Sequence, residues 1–276
     1  MNRKIREKGI GGKGMAIFTK VLTSIGIGSA RVDTKLEYTS YKAGDPIRGV
    51  VEVYGGVTEQ TIDSIYLTVN AMYTFQKDGH PYTETATIEQ HQITDPFLMK
   101  ANETKVFPFS FTLPIDAPLT YGSTRVWVQT GLDIKNAVNP QDEDYIAVRP
   151  NQMTSAVLEE MEKLGFRLRK VECEQTFFRT SCNYPFIQVF EFIPGSGMFL
   201  GKLDELEIVF LAQTEDRIEI FMEVDRRARG LAGYLSEVIA IDENQIRFSV
   251  TNQELSVLRK LLEQKIMCGL SLKRGK

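Results

Sequence analysis

From Val32 onward the chain alternates its side chains with a period of two. Val32, Thr34 and Leu36 interleave with Asp33, Lys35 and Glu37, Gly44-Asp45-Pro46 interrupts, and Val50-Val51-Glu52-Val53 resumes. A strand with one buried face has this pattern, because successive side chains point to opposite sides of a sheet, whereas a helix needs a period near 3.6. The signal recurs over residues 32–38, 47–54, 61–75, 82–93, 104–113, 124–134 and 145–148. Turn formers lie between: Lys77-Asp78-Gly79-His80-Pro81 predicts a hairpin, Asp95-Pro96 a strand end, and residues 114–118, bounded by prolines, a loop. Val106, Phe107, Phe109 and Phe111, and Thr124, Val126, Val128 and Thr130, place bulky side chains on one sheet face, so a seven-stranded β-sandwich follows.

Arg149-Pro150-Asn151 ends that run, since proline stops a strand and Thr154 or Ser155 is suited to cap a helix. Val157, Leu158, Met161 and Leu164 then recur at helical spacing over 155–164, up to Gly165. Strand signals return at 166–174, 186–193, 205–212, 217–225 and 246–251. The 205–211 and 217–224 runs form a hairpin with one acidic face expected to be exposed. Residues 252–267 repeat Leu255, Leu258, Leu261, Leu262 and Ile266 at helical spacing, which predicts an amphipathic helix closing the fold. The short connection and the amphipathic helix after it predict two halves held as a fixed pair.

At 276 residues the chain has material for two cores, and 42% hydrophobic with 25% charged residues is an ordinary globular balance. A net charge of −3 and a pI near 5.7 argue against a general nucleic-acid binder, which needs a positive surface. Apolar stretches such as Ile208-Val209-Phe210-Leu211-Ala212 fall far short of the about 20 residues that span a bilayer, and the expected location is the cytoplasm. Cys173, Cys182 and Cys268 show no C-x-x-C spacing and read as reduced, packed thiols. Residues 1–14 carry five basic side chains against one Glu, with many glycines, and are expected to be a mobile extension.

Several segments together are similar to one family. Ile25-Gly-Ile-Gly-Ser-Ala-Arg-Val-Asp-Thr-Lys-Leu36, Gly44-Asp-Pro-Ile-Arg-Gly-Val-Val-Glu-Val53, Gln60-Thr-Ile-Asp-Ser-Ile-Tyr-Leu67, Leu203-Asp-Glu-Leu-Glu207 and Phe221-Met-Glu-Val-Asp-Arg-Arg-Ala-Arg-Gly-Leu-Ala-Gly233 resemble the sporulation-control (SpoOM) family. The resemblance covers nearly all of residues 15–267. It implies an all-β fold of two arrestin-like β-sandwich domains in tandem, with short N- and C-terminal amphipathic helices. On that reading, residues 1–14 are the basic extension, 15–150 the first sandwich, 151–251 the second, and 252–276 the closing helix and basic tail. It also implies a bacterial, non-enzymatic regulatory scaffold acting through protein–protein interaction in sporulation, cell-cycle or stress regulation, and transfers no catalytic residue. The alternative is a ligand-sensing or hydrolytic β-sandwich protein.

Motifs that carry chemistry are sparse. Gly9-Ile-Gly-Gly-Lys-Gly14 lacks the preceding strand and the Ser or Thr of a phosphate loop, and reads as linker. Pro194-Gly195-Ser196-Gly197 lacks the spacing of a nucleophile elbow and reads as loop. His80 and His91 can approach one another by two-residue alternation but have no third ligand, so surface positions are expected. Asn139-Pro-Gln-Asp-Glu-Asp144 reads as a solvated turn rather than a calcium loop. Arg226, Arg227 and Arg229 present three guanidinium groups, either to a phosphate, carboxylate or acidic helix, or to Glu223, Asp225 and Glu237 within the fold. Phe18, Val21, Leu22 and Ile25 share one helical face, which either docks on the protein or, with Lys13 and Lys20 nearby, meets a partner groove or an anionic membrane. Other proteins are thus the expected partners, with self-association open, peripheral membrane contact less favoured, and no nucleic acid, metal or cofactor expected.

Overall fold

In a computed structural model, the described residues are 29–134, 139–176, 184–225 and 245–272. Nine strands make up the first half: β1 (Arg31–Leu36), β2 (Ser40–Lys42), β3 (Pro46–Tyr54), β4 (Gln60–Lys77), β5 (His80–Gln92), β6 (Phe97–Met99), β7 (Thr104–Thr112), β8 (Val126–Ile134) and β9 (Gln141–Arg149). The seven expected strands are all present. β2 and β6 escape pattern reading because three residues are too few to show a period. β1, β3 and β7 form one sheet; β4 carries β5, β6 and β8, with β9 and the parallel β2 beyond. Ile47, Val51 and Val53 from the first sheet meet Ile65, Leu67, Val69, Val126 and Val128 from the second, all essentially buried, as the two-residue period dictates.

The segment 139–144 is not a turn. Gln141 already belongs to β9, and Asp142 and Asp144 pair opposite Thr130 and Val128 on the inward side of β8. The Asp142 carboxylate accepts the Thr34 amide at 2.7 Å and so joins the edge of β1 to the other sheet, while the Thr34 and Thr130 hydroxyls share a buried hydrogen bond of 2.6 Å. Strand pairing and these bonds outweigh the solvation preference of the acidic residues.

In the second half, α1 (Gln152–Lys163) leads into β10 (Phe166–Gln175), β11 (Phe186–Pro194), β12 (Glu205–Gln213), β13 (Arg217–Asp225) and β14 (Gln245–Thr251), and then α2 (Leu258–Leu272). The five strands pair antiparallel in chain order, and α1 packs on α2, β10 and β13. α1 starts three residues before its expected beginning because Asn151, not Thr154 or Ser155, is the N-cap and accepts the Thr154 amide. Thr154 is buried instead, and its hydroxyl donates to Gln213 at 2.8 Å. A 3-10 stretch, Asn252–Val257, precedes α2, fixed by a capping box in which Glu254 accepts the Thr251 amide. Leu258, Leu262, Ile266 and Leu270 are the buried stripe of α2. No described helix is long and apolar enough to cross a membrane.

The acidic side of the β12–β13 hairpin is not exposed. Glu191, Glu207 and Glu223 stand in register across β11, β12 and β13, and with Glu205 all four are nine-tenths buried. Arg169 pairs with Glu191 and with Glu205, and Glu205, Glu207 and Glu223 each hold a further interaction.

The halves are sewn together by β4, whose 18 residues run past the end of β8 so that Thr74 pairs with Glu174 of β10. Around that crossing, Tyr73 stacks on Phe186 at 5.6 Å and the Tyr184 hydroxyl donates to Asp116 at 3.1 Å. The Gln188 carboxamide accepts the Leu119 amide at 2.8 Å and donates back to the Leu119 carbonyl at 2.7 Å. These contacts hold the two halves as a pair.

Candidate functional site

Every residue singled out from sequence as a partner contact, Arg226, Arg227 and Arg229 in one group and Phe18, Val21, Leu22 and Ile25 in the other, lies outside the described residues. His80 and His91 do not converge. They sit at opposite ends of β5, eleven residues apart on a strand rising about 3.3 Å per residue, and His91 stacks on Phe111 at 4.5 Å. Cys173 is buried, and burial pushes its thiol up to about 12, so it stays protonated; Cys268 is exposed rather than packed, and Cys182 lies outside the described residues. Of residues 194–197, expected as loop, Pro194 ends β11 and Gly197 opens a 3-10 turn, and the Gly195 and Ser196 amides between them both donate to the Gly165 carbonyl.

The described surface offers a groove that sequence reasoning missed. Between α1 and β10 lies a depression of about 400 Å³ with an apolar floor of Tyr121, Leu158, Phe166, Leu168 and Phe192. Glu159 and Glu162 on α1 form one lip and Arg167 the other. Two local causes open it. Leu158 lies off the Met153, Val157 and Met161 stripe that faces the core and is only half-buried. On β10, the pairing with β11 shifts by one residue between Leu168 and Lys170, so inward positions pass from Phe166 to Val171 and Cys173, and Leu168 is left 39% exposed. The break is legible afterwards in Arg169-Lys170, two consecutive cations where strict alternation would have placed an apolar residue.

A second cleft of about 480 Å³ lies where the halves meet, between Lys42, Gly44 and Asp45 on one side and Gln152, Thr214 and Asp216 on the other. Its walls are polar and carry both signs of charge. Among the described residues, no group of three or more His, Cys, Asp and Glu is placed to hold a metal ion.

The inter-sheet aspartates give a pH-dependent signature. Burial, then the neighbouring Asp142 and Asp33, raise the Asp144 carboxyl to about 6, and its Oδ2 has no hydrogen-bond donor among the described residues. A carboxyl with a raised folded pKa destabilises the fold in its ionised form. The penalty is therefore absent below about pH 4, grows as pH rises to about 6, and is constant above. Asp144→Asn removes it, and is expected to gain about 1–2 kcal/mol at pH 7 once partial solvent screening is allowed for, and nothing at pH 3.5. Chemical denaturation of both proteins across that range checks this; an equal difference at every pH would contradict it.

A family model described as SpoOM protein matches residues 18–228. The sporulation-control protein spo0M of Bacillus subtilis (strain 168) is 42% identical over 258 residues, 91% of this chain and 99% of that one. A crystal structure of Spo0M, sporulation control protein, from Bacillus subtilis superposes with a TM-score of 0.82 at 40% identity, covering 88% of this chain and all of the other.

Proposed function

Since the chain belongs to the SpoOM protein family, we propose that it is a regulatory protein of the sporulation-control kind that works by binding other proteins and not by turning over a substrate. The name of the 42% identical relative supports the regulatory part of this reading. The groove between α1 and β10 supports the binding part. Its apolar floor suits two or three aliphatic or aromatic anchors, and Glu159 and Glu162 along its lip suit Lys or Arg beside them. Among the described residues, Cys173 is protonated and the two histidines stand apart, so none of these three supplies an activated nucleophile with a base beside it.

Leu168→Glu places a charge on the groove floor at a position already partly exposed, so the fold should tolerate it. In a Bacillus subtilis strain lacking the related protein, the wild-type chain should restore the parental sporulation frequency and the variant should not. Affinity for partners captured by the wild type should fall about tenfold or more. A variant that restores sporulation as fully as the wild type would remove the groove from the account. Saturable turnover by the purified protein, abolished by one side-chain change, would instead favour the ligand-sensing or hydrolytic alternative.

A further inference from the structure

The sheet of the second half buries both of its faces, and the described elements account for one. Side chains alternate along β11, β12 and β13, and Phe190, Ile208, Ile220 and Met222 join the core beneath α1 and α2. On the opposite side, Ile187, Val189, Val209 and Leu211 form a separate apolar cluster with Phe221, drawn from these three strands alone among the described residues. The first four are only 1–5% exposed. A single layer leaves its outward side chains in water, so burial this deep requires a second layer over the sheet.

The same face carries the four buried carboxylates of Glu191, Glu205, Glu207 and Glu223, grouped at one end of the sheet. The described cations beside them are engaged. Arg169 is shared between Glu191 and Glu205, Lys170 pairs with Glu172 at 2.7 Å, and Arg247 pairs with Glu219 at 2.5 Å. Four ionised carboxylates withdrawn from water need more positive charge than one guanidinium supplies. Residues 226–244 start at that end: Asp225, the last residue of β13, stands opposite Glu205, and Gln245, the first of β14, stands opposite Glu223. These 19 residues join neighbouring antiparallel strands, for which two to five would serve. Arg226, Arg227 and Arg229 fall in the first four of them, and Leu231, Tyr234, Leu235 and Val238 follow at helical spacing. The acids of the segment come later, Glu237 and then Asp242 and Glu243, the last two next to the edge strand β14.

We propose that residues 226–244 are the second layer over this face, with Arg226, Arg227 and Arg229 set among the four buried glutamates and the stripe from Leu231 to Val238 seated on the apolar cluster. A helix over 231–239 would be about 13 Å long, enough to cross from β13 to β11 at about 4.8 Å per strand. Residues 177–183, the other connection of this sheet outside the described residues, carry one cation, Arg179, and leave β10 beside Phe186, about 16 Å along β11 from Glu191. They therefore do not match the acidic end. The three arginines are thus committed to the fold, and contact with other proteins falls to surfaces such as the groove between α1 and β10.

Trypsin applied to the full chain tests whether the segment is docked. Cleavage after Arg226, Arg227 and Arg229 should be at least about a hundredfold slower than in a synthetic peptide of residues 220–234, because a docked segment must open before the protease can seat it. Substitution tests where it is docked. Arg226→Gln, Arg227→Gln and Arg229→Gln together should lower the melting temperature by about 10 °C, since buried carboxylates lose their partners. Adding Glu207→Gln and Glu223→Gln should recover at least about half of that loss, whereas general damage to the fold would only deepen. If the triple variant does not fold, Arg227→Gln alone takes its place in the same comparison. Cleavage of the wild-type chain as fast as the peptide overturns the proposal. So does a triple variant that melts like the wild type, which would leave the arginines to an outside partner. A loss that the two glutamate substitutions do not recover also overturns it, since the arginines would then pair elsewhere.

Discussion

Replacing Gly165 with Ala is expected to lower the melting temperature by about 10 °C, by way of a loss of about 3–5 kcal/mol. Gly165 follows α1 at a φ of +92°, a left-handed conformation that a side chain alone makes costly by about 1 kcal/mol. The larger effect is contact. A Cβ there would lie 2.3 Å from the Ser196 carbonyl oxygen and 2.8 Å from its carbon. Backbone cannot yield as a flexible side chain can, so residues 195–197 must move away. The amides of Gly195 and Ser196, at 2.8 and 3.0 Å from the Gly165 carbonyl, then lose their acceptor. Phe199, buried against Phe166 at 5.4 Å, loses part of its seat with them. A fall in melting temperature below about 3 °C would show that residues 195–197 yield freely.

Gln188→Leu keeps volume and removes the polar clasp between the halves. The Leu119 amide is then left without an acceptor in a place where Leu119 is only 5% exposed, and Thr124, 8% exposed, loses the Gln188 donor at 3.2 Å. An orphaned buried donor together with the lost bonds costs about 2–3 kcal/mol, or about 5–10 °C in melting temperature. Because the loss falls on the seam and not inside either sheet, small-angle scattering should broaden, and proteolytic cleavage within 114–124 should rise before global unfolding. An unchanged scattering profile with a lowered melting temperature would assign Gln188 to stability alone. Asp144→Asn works in the opposite direction, stabilising at neutral pH, so the two substitutions separate a bond that holds the fold from a charge that strains it.

Much of this architecture was legible in the chain. The seven longer strands of the first half, the five of the second and both described helices follow from the period of their apolar residues, which is local and needs no knowledge of partners. The segments quoted for the family resemblance agree with the shared fold and the 42% identical relative. The site was far less legible. The groove depends on a one-residue shift of pairing at Arg169, which only β11 as a neighbour defines, and on Leu158 lying beside the core stripe and not within it.

Charge was where sequence reasoning went furthest astray, because an acidic residue reads as exposed until its neighbours are known. Asp142 became a link between sheets through the Thr34 amide, 108 positions away, and Glu191, Glu205, Glu207 and Glu223 became buried through register across three strands and through Arg169. Periodicity therefore determined which elements form and which of their faces are apolar, since both depend on residues within a few positions of each other. Only the tertiary structure decided which polar groups are buried and how β4 joins the halves, because each depends on contacts between residues far apart in the chain.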